Sequence, residues 1–172
     1  NESTEDPFTV TKMVTDGTAN LSGLPVNQPF VVVASADGFH DRRIFLSSLY
    51  DQQEIYLLPE NQTNVQNDFE IRDLTGRFPQ EDTVLQIQRN LNSNWSTVHG
   101  DFFGADGSFP ATLQYNVRHR LIVRNIETGA RRELGTYTPQ TDGPVTVEIE
   151  TEGDVDVVAG AANVRIDPST RT

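Results

Sequence analysis

The sequence predicts an all-β protein, and more narrowly two tandem small β-sandwich domains of transthyretin-like or Ig-like type. Three observations predict it. Short runs of β-branched and aromatic residues recur along most of the 172-residue chain. Gly- and Asn-centred turn pairs fall between them at sandwich-like spacing. No segment holds apolar residues at a helical period.

The elements follow in chain order. Phe8 to Val14 places Phe8, Val10, Lys12 and Val14 on one side, the alternation of a half-buried strand. Asp16-Gly17 is a turn signal. Pro29 to Ala34 is a continuous apolar run, the pattern of a strand buried on both faces. Asp37-Gly38 turns the chain again. Arg43 to Leu46 and Glu54 to Leu58 read as two more strands, the second closed by Pro59. A helical turn has its one opening between Asp41 and Gln53, where Ser47 to Tyr50 reads better as a loop.

Residues 60–68 are polar, and the domain boundary is placed there. Beyond it, strands are expected at Phe69–Arg72, Val84–Arg89, Trp95–Val98, Phe109–Leu113, Arg120–Arg124, Arg132–Tyr137 and Val145–Ile149. Asn92-Ser93-Asn94, Asp106-Gly107, Thr128-Gly129 and Asp142-Gly143-Pro144 supply the turns. The resulting division is 1–62 for the first sandwich, 63–152 for the second, and 153–172 for a C-terminal strand or linker. Ile166 to Thr172 has linker composition, so further protein is expected to follow, with any membrane anchor outside this chain. Asn1 is expected to be a processed start.

The halves match at an offset of 90 residues. Asp16-Gly17 falls on Asp106-Gly107, Val31 to Val33 on Leu121 to Val123, Arg42 to Ile44 on Arg132 to Leu134, and Ile55 on Val145. The match is either a duplicated unit or the strand spacing common to small sandwiches.

One stretch supports a family resemblance. Val14 to Pro25 holds a DG turn and a leucine–proline segment, Phe30 to Phe39 holds a "VVVASADGF" strand and turn, and Ile55 to Pro59 closes with "IYLLP". Over residues 8–60 this resembles the carboxypeptidase regulatory-like family of transthyretin-like β-sandwiches. Asn27-Gln28 stands where that family usually has glycine, so the strand entry differs. The resemblance implies a non-catalytic module of secreted and cell-surface proteins, many from haloarchaea. The second half is similar in flavour to β-modules of haloarchaeal surface proteins.

Charge points to the same habitat. Thirteen basic residues face 25 acidic ones, a net charge of −12, and Lys12 is the one lysine beside twelve arginines. Carboxylates hold water and hydrated cations, and high salt screens the self-repulsion such a charge brings. The bland reading is an ordinary acidic mesophile protein. Phosphate would be repelled, so nucleic acid is not expected as a partner. No run of 18 apolar residues exists to form a spanning helix.

Chemistry is thin in this sequence. Cysteine is absent, which excludes disulfides and thiolate sites. His40, His99 and His119 have no metal-site spacing, and no G-x-S-x-G elbow is present. An enzyme would need His99 or His119 beside a carboxylate and a nucleophile. Asp101, Asp106 and Asp154-Val155-Asp156 could hold Ca²⁺ but match no Ca²⁺-loop pattern. No catalytic residue, metal or cofactor is therefore expected. Asn20, Asn61 and Asn94 head sequons near turns or strand ends and are candidate N-glycosylation sites; Asn1 heads a fourth. Phe102-Phe103 and Trp95 are either core plugs or sugar platforms. The expected function is a structural or adhesive segment of an extracellular, cell-surface or viral or mobile-element envelope protein, with other surface proteins or glycans as partners. The other reading is a module that grips a glycan or peptide through loops at one sandwich end.

Overall fold

The computed structural model describes residues 13–14, 19–20, 24, 28–47 and 54–150, together with the strand backbone of Val155–Ala159 and Ala162–Arg165. The described chain is all-β. In order the strands are β1 (Phe30–Ala34), β2 (Phe39–His40), β3 (Arg42–Leu46), β4 (Leu58–Pro59), β5 (Asn64–Asp73), β6 (Thr83–Leu91), β7 (Asn94–Phe102), β8 (Pro110–Gln114), β9 (His119–Asn125), β10 (Arg131–Tyr137), β11 (Gly143–Ile149), β12 (Val155–Ala159) and β13 (Ala162–Arg165). One 3-10 turn, Gln80–Asp82, interrupts them.

Two sheets form the body. One has the order β10-β9-β6-β7, the other β13-β12-β11-β5-β8. Period-two patterning packs them face to face. Val65 and Phe69 from β5 and Val145, Val147 and Ile149 from β11 point inward, while Gln66, Asp68, Glu70 and Arg72 stay exposed. From the facing sheet, Leu85, Ile87, Leu121, Val123 and Leu134 complete the same core. Ile122 is also fully buried, so the central strand β9 reads as a continuous apolar run.

Strands β5 and β11 pair in parallel, from Asn67↔Gly143 to Ile149↔Asp73. Parallel neighbours need a crossover, and residues 74–142 provide it. That excursion builds the whole four-stranded sheet and returns once, as β8, to the outer edge of β5. The hairpin β6–β7 turns through Asn92 and Ser93, with φ of 52° and 71°, as a two-residue loop requires when its twist must match the strands.

A buried polar knot fastens the crossover where it re-enters. The Tyr137 hydroxyl donates to Asn67 Oδ1 at 3.0 Å. Asn67 Nδ2 donates to the carbonyls of Thr141 at 3.1 Å and Gly143 at 3.0 Å. Asn67 is thereby satisfied at 4% exposure, which a buried amide must be to avoid a desolvation cost. The Tyr137 ring packs edge-on against Phe69 with centroids 5.7 Å apart. Burial pushes the Tyr137 phenol up to about 12, against the opposing pull of its bond to Asn67.

The first half contributes two short antiparallel ribbons, β1–β3 and β2–β4. The first leans on strand β7. Phe45 meets Phe102 edge-on at 5.6 Å, Arg43 pairs with Asp101, and the buried Arg42 donates from Nη1 to the Thr112 carbonyl at 2.6 Å. Gly100 permits the approach: a Cβ there would lie 3.4 Å from the Phe45 nitrogen. The second ribbon is held by His40 Nε2 and Asn64 Nδ2, 3.0 Å apart.

Several elements differ from the sequence reading. β1 is half-buried rather than sealed on both faces, and Val33 is 52% exposed, because β3 and not β1 faces the body. Residues 64–68, part of the expected domain boundary, begin β5, since their polar alternates face out while Val65 and Asn67 face in. Ile55 to Tyr56 is irregular and only Leu58–Pro59 pairs. The 90-residue offset survives at one place: Phe30↔Leu46 and Val31↔Phe45 have the register of Arg120↔Thr136 and Leu121↔Gly135. A bulge between Glu133 and Gly135 shifts the remaining pairs. The expected strand at Phe8–Val14 lies outside the described residues except for Met13 and Val14, both exposed; Asp16-Gly17 lies outside them entirely.

The knot yields a test. Asn67→Ala strands the Tyr137 hydroxyl and two carbonyls, and is expected to cost about 2–3 kcal/mol; Tyr137→Phe is expected to cost about 1. Urea unfolding of both variants and the double variant should show clear non-additivity. Additive costs would mean that the two side chains do not share a bond.

Candidate functional site

Two concavities flank β5, one at its end and one at its start. The larger holds about 310 Å³ and runs beside the C-terminal half of β5. Asp68, Glu70 and Ile71 form one wall, Phe78 and Phe103 contribute apolar surface, and Asp106 stands on the opposite rim. Loop residues are held there by side chains. Asp73 accepts from the Thr75 amide and hydroxyl at 2.9 and 2.5 Å and from the Phe78 amide at 2.7 Å. Burial pushes the Asp73 carboxyl up, but the bonds from Thr75, Phe78 and Arg77 outweigh it and leave it below the usual range. Asp106 accepts from the Ser108 amide and hydroxyl, which holds its carboxyl low. Asp68 accepts the Phe109 amide at 2.7 Å, and Gln80 Nε2 donates to the Gly104 carbonyl at 2.8 Å.

The smaller concavity, about 220 Å³, lies between the β1–β3 ribbon and the edge strands of the body. His99 lines it with Asp41, Arg43 and Thr112. The His99 ring is 6% exposed, packs edge-on against Phe109 at 5.3 Å, and leaves Nδ1 without a partner. Burial, reinforced by Arg42 and Arg43 and opposed by Asp101, pulls it down to about 4. His119 is buried elsewhere in the body and is pulled down to about 4, chiefly by burial. Arg42 is lowered to about 10 by burial and by the nearby charge of Arg89.

The structure disperses the described residues singled out by sequence; the side chains of Asp154 and Asp156 lie outside the described residues. His40 meets Asn64, His99 meets Phe109, and neither His99 nor His119 bonds a carboxylate. Asp101 is engaged by Arg43, and Asp106 by Ser108. No group of three or more His, Cys, Asp or Glu stands at metal-binding distance among the described residues. Phe102 anchors the ribbon, whereas Phe103 tilts against Phe109 at 5.2 Å and borders the larger groove. Trp95 is half-buried with the Arg120 guanidinium 4.8 Å over its ring, and Gln88 holds that guanidinium in place. Asn20, Asn61 and Asn94 are all exposed.

The groove beside Asp68–Ile71 is not marked in the sequence, where Asp68 falls in the expected domain boundary and Phe69–Arg72 in an expected strand. Comparison with known protein families, characterised proteins and solved structures found no match for this chain.

The two buried histidines predict a pH profile. Their folded values lie below the unfolded 6.5, so the unfolded chain takes up protons first as pH falls. Stability is therefore full above 6.5 and declines toward pH 4, by roughly 3 kcal/mol for each histidine. The contribution of Asp73 is lost in a separate, lower window, as pH drops from 3.8 through its depressed value. Unfolding midpoints across this range should slope, and His99→Leu should roughly halve the slope between 6.5 and 4, leaving the share of His119. A flat wild-type profile there would contradict neutral burial.

Proposed function

We propose that the chain is a non-catalytic, extracellular structural or adhesive segment of a surface or envelope protein from a halophilic archaeon. In this proposal it is built as two tandem sandwich units, of transthyretin-like or Ig-like type. The observation that carries it is where the polar side chains sit. Asn67, Asp68, Asp73, Asp106 and Asn125 each hold backbone segments together through hydrogen bonds to main-chain amides or carbonyls. The remaining carboxylates clothe a chain of net charge −12 that has a single lysine. Exposure of Asn20, Asn61 and Asn94 supports glycan attachment at those sequons.

A second reading, a glycan- or peptide-binding module working through loops at one sandwich end, is favoured by the groove between the 74–80 and 103–109 loops.

Salt tests the habitat. Thermal melts followed by circular dichroism should rise steadily from dilute buffer to molar NaCl, as self-repulsion is screened and cations gather on the carboxylates. A melting temperature that ignores salt would refute the halophile proposal.

A further inference from the structure

We infer that the free edge of β5 captures an extended, cationic peptide by strand addition. The inference rests on the binding-module reading and narrows it to one ligand chemistry and one strand.

The edge exists because β5 is ten residues long and its outer neighbour β8 is five. Pairing between them runs from Asn64↔Gln114 to Asp68↔Pro110 and stops there. The last contact is the Phe69 amide donating to the Phe109 carbonyl at 2.9 Å. The reciprocal donor is diverted, since the Phe109 amide bonds the Asp68 carboxylate instead. The chain then curls away: the Gly104 amide reaches the Ser108 carbonyl at 2.8 Å, and the Gly107 amide reaches the Gly104 carbonyl at 2.9 Å. Gly107, at φ +82°, takes the left-handed conformation this curl needs.

Backbone alternation decides what is left exposed. Odd-numbered residues of β5 bond toward β8, as Phe69 does; even-numbered ones bond toward β11, as the Gln66 amide does to Asp142. Ile71 therefore aims its N–H and C=O into the groove, where no strand lies beside it among the described residues. Such a pair of groups is a template for an added strand.

The groove lining sets the occupant. Phe78 and Phe103 give it an apolar floor, while Asp68, Glu70 and Asp106 mark its rim, and no basic residue lines it. The matching ligand is an extended segment that sets an apolar side chain onto the phenylalanines and presents Arg or Lys to the carboxylates on either side. A strand of about five residues spans the open length of β5.

The test uses the full chain with nitrogen-15 labelling, at the lowest salt at which it is folded. The probes are a capped Arg-Val-Thr-Val-Arg peptide, the same peptide with proline at its centre, a Glu-flanked counterpart, and maltohexaose. The inference expects saturable binding of the first peptide alone, with slowed exchange of the Ile71 amide. Glu70→Lys, an exposed substitution, should weaken that binding about tenfold. Equal binding of the proline or acidic peptide, or an Ile71 amide untouched by the cationic one, would overturn it. Protection of Ile71 that grows with protein concentration and needs no peptide would overturn it too, in favour of a second copy. If maltohexaose shifts the groove and the peptide does not, strand addition falls while the binding-module reading stands. If neither probe shifts it, both fall.

Discussion

The parallel pairing of Asn67–Asp73 with Gly143–Ile149 is the constraint on which the remaining structure depends. Two strands far apart in sequence cannot lie parallel without a long crossover. Here the crossover is no mere connector; it is the opposing sheet. Burial of Phe69, Val145, Val147 and Ile149 against Leu85, Ile87, Leu121 and Val123 then follows from one choice of register. A slip of one residue would turn every inward side chain of the slipped strand outward. The knot of Asn67, Tyr137 and the 141–143 backbone guards that register at the point where β11 begins.

The same arrangement explains why the polar chemistry is local. A sheet reached by long-range pairing needs its loops fixed in place, because their ordering opposes folding. Asp73 and Asp106 do this by accepting amides within their own loops, and Asn125 does it for the turn after β9. The N-terminal ribbon is fastened differently, through Phe45 on Phe102 and Arg42 on the Thr112 carbonyl. It thus covers the side of the body where β7 and β8 leave the two sheets ending. Buried neutral His99 sits under this cover, with arginines on the ribbon that disfavour its protonation.

Much of this was legible in the sequence, for identifiable reasons. The strands from Val84 to Ile149 were visible because alternation and turn residues agree there. Leu121-Ile122-Val123 announces a central strand, and Asp106-Gly107 and Thr128-Gly129 supply positive φ where the chain reverses. What was hidden is long-range. Nothing in Asn64–Asp73 says that its neighbours are β8 on one side and β11 on the other. The polar residues 64–68 disguised the start of that strand as a domain boundary, although Phe69–Arg72 read as strand, and the apolar run at Pro29–Ala34 exaggerated the burial of β1, whose position depends on β3. The groove was illegible for a related reason: it arises from two strands of unequal length lying side by side, and neither sequence records the other.

Because the chain has no cysteine, the parallel register can be read by crosslinking. Glu70 and Thr146 are direct partners on the outer face of the sheet, at a spacing a disulfide can bridge. A Glu70→Cys, Thr146→Cys variant should close to completion under mild oxidation and melt at least as high as the reduced form. A Glu70→Cys, Val147→Cys variant, whose side chains fall on opposite faces, should not close. Efficient closure of the second pair and failure of the first would contradict the pairing from which the rest of the fold is built.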